Sequence, residues 1–259
     1  MTYDIVFFDV DGTLTNNQTG CIPESSKKSI HTLLNQGTRV VAATGRPLSM
    51  CEELKKLGIT TFITANGGLV THQNDVIYSQ CMNVKTVQAI ENFARQHQHA
   101  LSFYSHTFHM NGFQNEKITQ ALQETLSLAT NPPIRQKDTL LPVHLLCLFG
   151  DERIEQLYKT AFPLLQFKRW HPYILNVLET DISKARAIES VLHYFHLDRS
   201  RAIAFGDGDN DIEMLSYVSV GVAMENGSHG IKQVADYITK SSSENGIEHA
   251  LKYFSLIPS

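Results

Sequence analysis

No stretch of this 259-residue chain approaches the roughly 18 consecutive apolar residues that a membrane-crossing helix needs. Its N-terminus lacks a basic segment followed by an apolar run, so no signal peptide is expected. Cysteine is scarce: Cys21, Cys51, Cys81 and Cys147 are scattered and form no C-x-x-C pair. That excludes a disulfide framework and a thiolate zinc site, and it predicts reduced thiols in a cytoplasmic protein. An excess of one charge is missing as well. The 22 Lys+Arg stand against 26 Asp+Glu, a net charge of −4, which leaves no electrostatic footprint for nucleic acid or an anionic membrane. There is no low-complexity tract and no internal repeat. The 42% hydrophobic and 19% charged residues are those of a globular chain long enough to bury a core unaided.

What is present is a repeated alternation. Ile5-Val6-Phe7-Phe8, Val40-Val41-Ala42-Ala43 and Thr61-Phe62-Ile63-Thr64 are short apolar runs, as in strands covered on both faces of a parallel sheet. Helical stretches separate them: one opens at Pro23-Glu24 and closes at Gly37, and a second runs from Pro47 to Leu57 before Gly58. Leu69–Thr71 and Val76–Tyr78 flank Gln73-Asn74-Asp75, a predicted hairpin. From residue 82 to 180 the rhythm changes. Helices are predicted at Val84–Gln96, Glu116–Ala129 and Glu152–Ala161, with a loop at Asn131-Pro132-Pro133. Strands are predicted near Leu101–Tyr104, Phe108–Met110, Val143–Phe149, Leu165–Trp170 and Ile174–Leu178. Adjacent strands mixed with helices mark an α+β domain inserted at 82–180 into a discontinuous α/β domain of residues 1–81 and 181–259. The alternation then resumes with a helix over Ser183–Phe195 and a strand over Ala202–Phe205. The fold class expected is α/β: a Rossmann-like parallel-sheet core with an inserted α+β cap.

Reactive residues sit just past the strands. In open parallel sheets, ligands bind outside the carboxyl ends of the strands. Asp9 and Asp11, Thr44, and Asp207 with Asn210 and Asp211 should therefore meet. Crowded carboxylates raise one another's pKa, and a hard divalent cation relieves the repulsion; Mg²⁺ takes oxygen ligands and is readily shared with a phosphate. Thr13 and Thr44 offer hydroxyls, Gly12, Gly45 and Gly206 allow close backbone approach, and Lys184 opens a helix where it can offset phosphate charge. A carboxylate attacks phosphorus to give an aspartyl-phosphate, and a second carboxyl two residues on reaches the leaving oxygen as general acid.

Asp9-Val10-Asp11-Gly12-Thr13, Thr44-Gly45-Arg46, Ser183-Lys184 and Gly206-Asp207-Gly208-Asp209-Asn210-Asp211 resemble the four motifs of the haloacid dehalogenase superfamily. The insertion resembles the large α+β cap of its Cof-like phosphatase branch. The resemblance implies Asp9 as nucleophile and metal ligand. It implies Asp11 as general acid and then base, with its carbonyl on the metal. Thr44, Gly45 and Asn210 would hold phosphate, Lys184 would balance charge, Asp207 would be a metal ligand, and Asp211 would hold the metal's waters or Lys184. One departure is Ala185, where relatives often carry glycine. The function implied is a Mg²⁺-dependent phosphatase of a small phosphorylated metabolite. Two alternatives are a phosphomutase, which needs cap arginines where this cap has only Arg95, Arg135, Arg153 and Arg169, and a non-catalytic metabolite-binding protein, which needs no nucleophile.

Several features carry a plainer reading beside the functional one. Asp209 is expected to cap the helix near Asn210. Arg46 is split between a structural role and substrate contact. Asn66-Gly67-Gly68 is first a turn, with site contact as the lesser alternative. The histidines, among them the pairs His97/His99 and His193/His196, lack ligand spacing and are expected to be solvated or core residues. Strand alternation makes Tyr104, His106, Lys168 and Asn176 a candidate substrate set on the open face of the cap sheet.

Overall fold

The structure, a computed structural model, describes residues 3–73, 75–126, 132–136 and 141–258. The chain divides into two units: Met1–Arg46, Met50–Ser79 and Ser183–Ser259 form the first, and Pro47–Ser49 with Gln80–Ile182 form the second. In chain order the first unit begins with β1 (Ile5–Asp9), α1 (Glu24–Asn35), β2 (Arg39–Ala43), α2 (Glu52–Lys56), β3 (Thr61–Thr64), β4 (Leu69–His72) and β5 (Asp75–Ser79). The second contains α3 (Val84–His97), β6 (Leu101–Tyr104), β7 (Phe108–Met110), α4 (Glu116–Leu126), β8 (Leu145–Phe149), α5 (Glu152–Ala161), β9 (Leu165–His171) and β10 (Ile174–Glu179). The chain returns through α6 (Lys184–Tyr194), β11 (Ala202–Gly206), α7 (Ile212–Tyr217), β12 (Val220–Ala223), α8 (His229–Val234), β13 (Tyr237–Ile238) and α9 (Gly246–Tyr253).

The first unit is built on an eight-stranded sheet of order β13-β12-β11-β1-β2-β3-β4-β5. The strands from β13 to β3 run parallel, and β4 and β5 are antiparallel additions at one edge. β1 is buried along its whole length between β2 and β11, so both of its faces must be apolar, as Ile5-Val6-Phe7-Phe8 supplies. Ile5, Phe7, Val41 and Ile63 pack with Ile188, Val191 and Leu215 into the core. Each such buried side chain contributes roughly 1.5–3 kcal/mol. The sheet's order reverses at β1, and the carboxyl ends of β1, β2 and β11 open onto that point.

Some elements differ from the sequence expectation. The helix expected from Pro47 to Leu57 is a 3₁₀ turn over Leu48–Met50 followed by the short α2. Cys51 separates them with non-helical φ/ψ of −103°/15°, because its side chain is drawn into the interior. Asp75 belongs to β5 rather than to the hairpin turn. Asn74 of that turn, Asn131 of the predicted loop and Ala129 at the end of the predicted helix lie outside the described residues.

The second unit is a five-stranded antiparallel sheet of order β7-β6-β8-β10-β9. Its register lines up Met110, Ser102, Cys147, Asn176 and Lys168 as one row across the sheet. Among its helices α5 is capped by Asp151, whose side chain accepts from the backbone N–H groups of Arg153 and Ile154. Tyr158 of α5 is wholly buried and meets the Phe93 ring of α3 edge-on.

Candidate active site

β1 delivers Asp9 at its last position, 5% exposed. The chain then turns sharply over Val10–Leu14, with Asp11 at φ/ψ −81°/107° and Gly12 at φ 88°. Glycine is required at position 12: a Cβ there would lie 2.9 Å from the carboxyl carbon of Asp207, in addition to the left-handed φ. The turn is tied down by Asn226, whose Nδ2 donates to the Gly12 carbonyl at 2.8 Å, and by Thr13, whose hydroxyl donates to Asp207 Oδ1 at 2.8 Å. Asp207 follows β11. Asp211 lies on the 3₁₀ turn beyond it, and its Oδ2 accepts from the backbone N–H of Asp207 and Gly208 at 3.2 and 3.1 Å.

Lys184 joins these pieces. Ser183 caps α6, so Lys184 opens the helix and points its stem into the first unit. Its Nζ donates to Asp9 Oδ1 at 2.5 Å and to Asp211 Oδ1 at 2.6 Å, and the residue is 1% exposed. Burial alone would lower the lysine's pKa, but Asp211 and Asp9 more than reverse this and hold it protonated. Burial, and next Asp211, push the Asp9 carboxyl well above its ordinary range, against the opposing pull of Lys184. Asp207 is pushed up to about 6 by burial and by Asp211, opposed by the Thr13 bond. Burial is the first cause in both carboxyls, and the crowding of carboxylates around a single ammonium adds to it.

Asp9, Asp207 and Asp211 each present an oxygen, and these oxygens lie within 4.8 Å of one another. An all-oxygen donor set with surplus negative charge suits a hard divalent cation. Among the described residues this is the group with metal-ligand spacing, and no histidine belongs to it.

A second shelf forms beyond β2 and β3. The Thr44 hydroxyl accepts from the Arg46 N–H at 3.0 Å. The Arg46 guanidinium grips the Asp11 carboxylate through both oxygens, with Nε donating to Oδ2 at 3.0 Å and Nη2 to Oδ1. Of the two readings open for Arg46, the side chain thus serves a carboxylate of the site. Beside it, Ala65 and Asn66 both adopt left-handed φ, 51° and 53°, a conformation that costs an alanine about 1–2 kcal/mol and that asparagine tolerates better. The backbone N–H of Asn66 donates to the Thr44 carbonyl at 3.1 Å, and its Oδ1 accepts from Asn210 Nδ2 at 3.1 Å. Gly67, at φ 103°, sits against the backbone between Ser183 and Lys184, 2.9 Å from the Lys184 nitrogen as measured from where a Cβ would be. Motif reading alone leaves Asn66 as a turn residue; the only signal in the sequence was its place after a strand aimed at the same end of the sheet.

Asp209 is not the expected side-chain cap. Gly208 occupies the cap position, and the Asp209 carboxylate accepts from the Ser228 hydroxyl instead. In the second unit, Tyr104 and Asn176 are buried rather than open. Tyr104 meets Phe108 edge-on, and Asn176 Oδ1 accepts from Trp170 Nε1 at 2.9 Å and from the Cys147 thiol at 3.2 Å. His106 is exposed and Lys168 half-buried. His97 and His99, two apart in sequence, nevertheless stack at 5.6 Å because α3 ends at His97.

The chain matches the family model of haloacid dehalogenase-like hydrolases over residues 6–251. It is 34% identical over 267 residues to YkrA of Bacillus subtilis (strain 168), covering 99% of this chain and 100% of that protein. It is 27% identical to the 5-amino-6-(5-phospho-D-ribitylamino)uracil phosphatase YitU of the same strain, covering 97% of this chain and 98% of that one. A solved structure of BT4131, a sugar phosphatase of HAD subclass IIB, superposes with a TM-score of 0.86 at 27% identity, covering 98% of this chain and 100% of that one.

Proposed function

The chain belongs to the haloacid dehalogenase-like hydrolases, and from that premise we propose that it is a Mg²⁺-dependent phosphatase acting on a small phosphorylated metabolite through an aspartyl-phosphate. One observation carries the reading: a buried lysine bridges Asp9 and Asp211 beside Asp207, so a nucleophile, its charge balance and a cation-suited oxygen set converge at one switch point. Asp9 attacks phosphorus. The bond from phosphorus to the leaving oxygen breaks, and Asp11 delivers its proton to that oxygen. Asp11 then takes a proton from water as the water oxygen bonds phosphorus, which frees the Asp9 carboxylate and inorganic phosphate. Release of Asp11 from the Arg46 clamp accompanies this proton traffic. Thr44, the Gly45 backbone and Asn210 hold phosphoryl oxygens, and Lys184 offsets their charge.

Asp9, the Asp11 carbonyl, Asp207 and Asp211 are the groups that would hold Mg²⁺. When bound, the cation supplies electrostatic stabilisation to phosphoryl oxygens. Phosphorylated sugars and polyols are the substrate class favoured by the named activities of the relatives. A phosphomutase is disfavoured because two of the few cap arginines are already engaged: Arg169 donates to Glu155 and to the Gly150 and Pro172 carbonyls, and Arg135 pairs with Glu91.

Hydrolysis of an aryl phosphate with Mg²⁺, with and without a chelator, tests the reading. Asp9→Asn should reduce turnover to background with an unchanged circular dichroism spectrum. Near-normal turnover in that variant would sink the covalent route.

A further inference from the structure

We propose that Asn66 is a phosphoryl-binding residue of this site, its side-chain N–H groups donating to a phosphoryl oxygen held between Thr44 and Asn210. The inference rests on the phosphatase reading and adds to it a ligand group from outside the four motifs. Asn66 is 4% exposed, and its Nδ2 is buried without a hydrogen-bond partner. A buried amide donor left unpaired is unfavourable unless something else accepts from it. The backbone N–H of the residue goes to the Thr44 carbonyl, and its Oδ1 accepts from Asn210. With Oδ1 turned to the Asn210 amide, the open end of the Asn66 side chain is the donor. A donor selects an anion rather than the cation that the neighbouring carboxylates attract.

The surroundings point the same way. The amide nitrogen lies 3.3 Å from where a Cβ on Gly45 would stand, so glycine at 45 leaves room beside it. Thr44 and Asn210, two residues expected to hold phosphate, each share one hydrogen bond with Asn66, Thr44 through its backbone carbonyl and Asn210 through its side-chain amide. The backbone at 66 is left-handed, which glycine adopts freely. Asparagine is the residue that accepts the conformation and still brings a donor.

The test uses the full chain with Mg²⁺ and compares the parent with Asn66→Gly and Asn66→Asp. Asn66→Gly keeps the backbone conformation and removes the donor. Asn66→Asp keeps an acceptor for Asn210 and replaces the donor with oxygen. Three quantities are read: thermal midpoint, kcat and KM for an aryl phosphate, and the affinity for inorganic phosphate by calorimetry. Asn66→Gly should hold its thermal midpoint while phosphate affinity and kcat/KM each fall by about tenfold or more, as for loss of one hydrogen bond to a charged group. Asn66→Asp should fall further. Phosphate affinity and kcat/KM within twofold of the parent in either folded variant would overturn the proposal and leave Asn66 a turn residue. If the parent binds phosphate but turns over no ester, the phosphatase reading falls and the binding comparison still decides the role of Asn66. If the parent binds no phosphate, both fall.

Discussion

Lys184 shows how much one side chain carries. It is buried between Asp9 and Asp211, so replacing it strands two carboxylates away from water. Breaking a buried pair by removing one partner costs about 3–5 kcal/mol, far more than losing a surface ion pair. Lys184→Ala should therefore lower the urea midpoint, and turnover should drop by at least about 10²-fold, as when one preorganised donor is lost. Asp207 gives a prediction of a different kind. Its folded pKa, about 6, lies above its ordinary value of 3.8, so burial favours the protonated form. Its contribution to stability is thus fully present below about pH 4 and is lost as pH rises through 6. Thermal midpoints of the chelated protein should carry that decline, and Asp207→Asn should lessen it, leaving the share that the raised Asp9 carboxyl contributes. Added Mg²⁺, which favours the ionised carboxylate, should stabilise the protein more at pH 7.5 than at pH 5. At this scale the acids were legible in the sequence because two strand ends do not need Asp9, Asp11 and Asp207 for turns. Asn66 was not, because an Asn-Gly pair is ordinary turn chemistry until the partners of its amide are known.

Among elements, long buried strands were the most legible and the short connections the least. β1 follows from an unbroken apolar run, and β3 from Phe62-Ile63 between two β-branched threonines. The break at Cys51 does not, since burial of one small side chain overrides the helical pattern around it. Nor does the burial of Tyr104 and Asn176: alternation says which residues share a face, not what covers that face. The turn after β3 bears a prediction of its own. Gly67 lies at φ 103° with the Ser183 backbone in the space a methyl would occupy. Gly67→Ala must shift either the turn or the start of α6, and the latter carries Lys184. It should cost more stability than the roughly 1–2 kcal/mol of a left-handed alanine alone, measured by denaturant titration, and should reduce kcat as Lys184 moves off Asp9. A variant with unchanged kcat would show that α6 is anchored independently of the turn.

Seen whole, the molecule interrupts one sheet to make another. The α/β and α+β rhythms were visible along the chain, but strand order was not, because parallel pairing between distant segments leaves no local mark. β1 neighbours β2 on one side and β11 on the other, and the Arg201 side chain beside β11 reaches Asp4 across 197 positions of sequence. At 5–20 residues per second, roughly 8–33 s of translation separates those two pairings. During that interval the entire antiparallel sheet of the second unit emerges, with every strand it needs, while β1 keeps one hydrogen-bonding edge open. An apolar edge exposed for so long is the place where a nascent chain is most prone to stick to its neighbours. The order of synthesis therefore makes the last-made partner, β11, both the completion of the catalytic end of the sheet and the cover for its most adhesive strand.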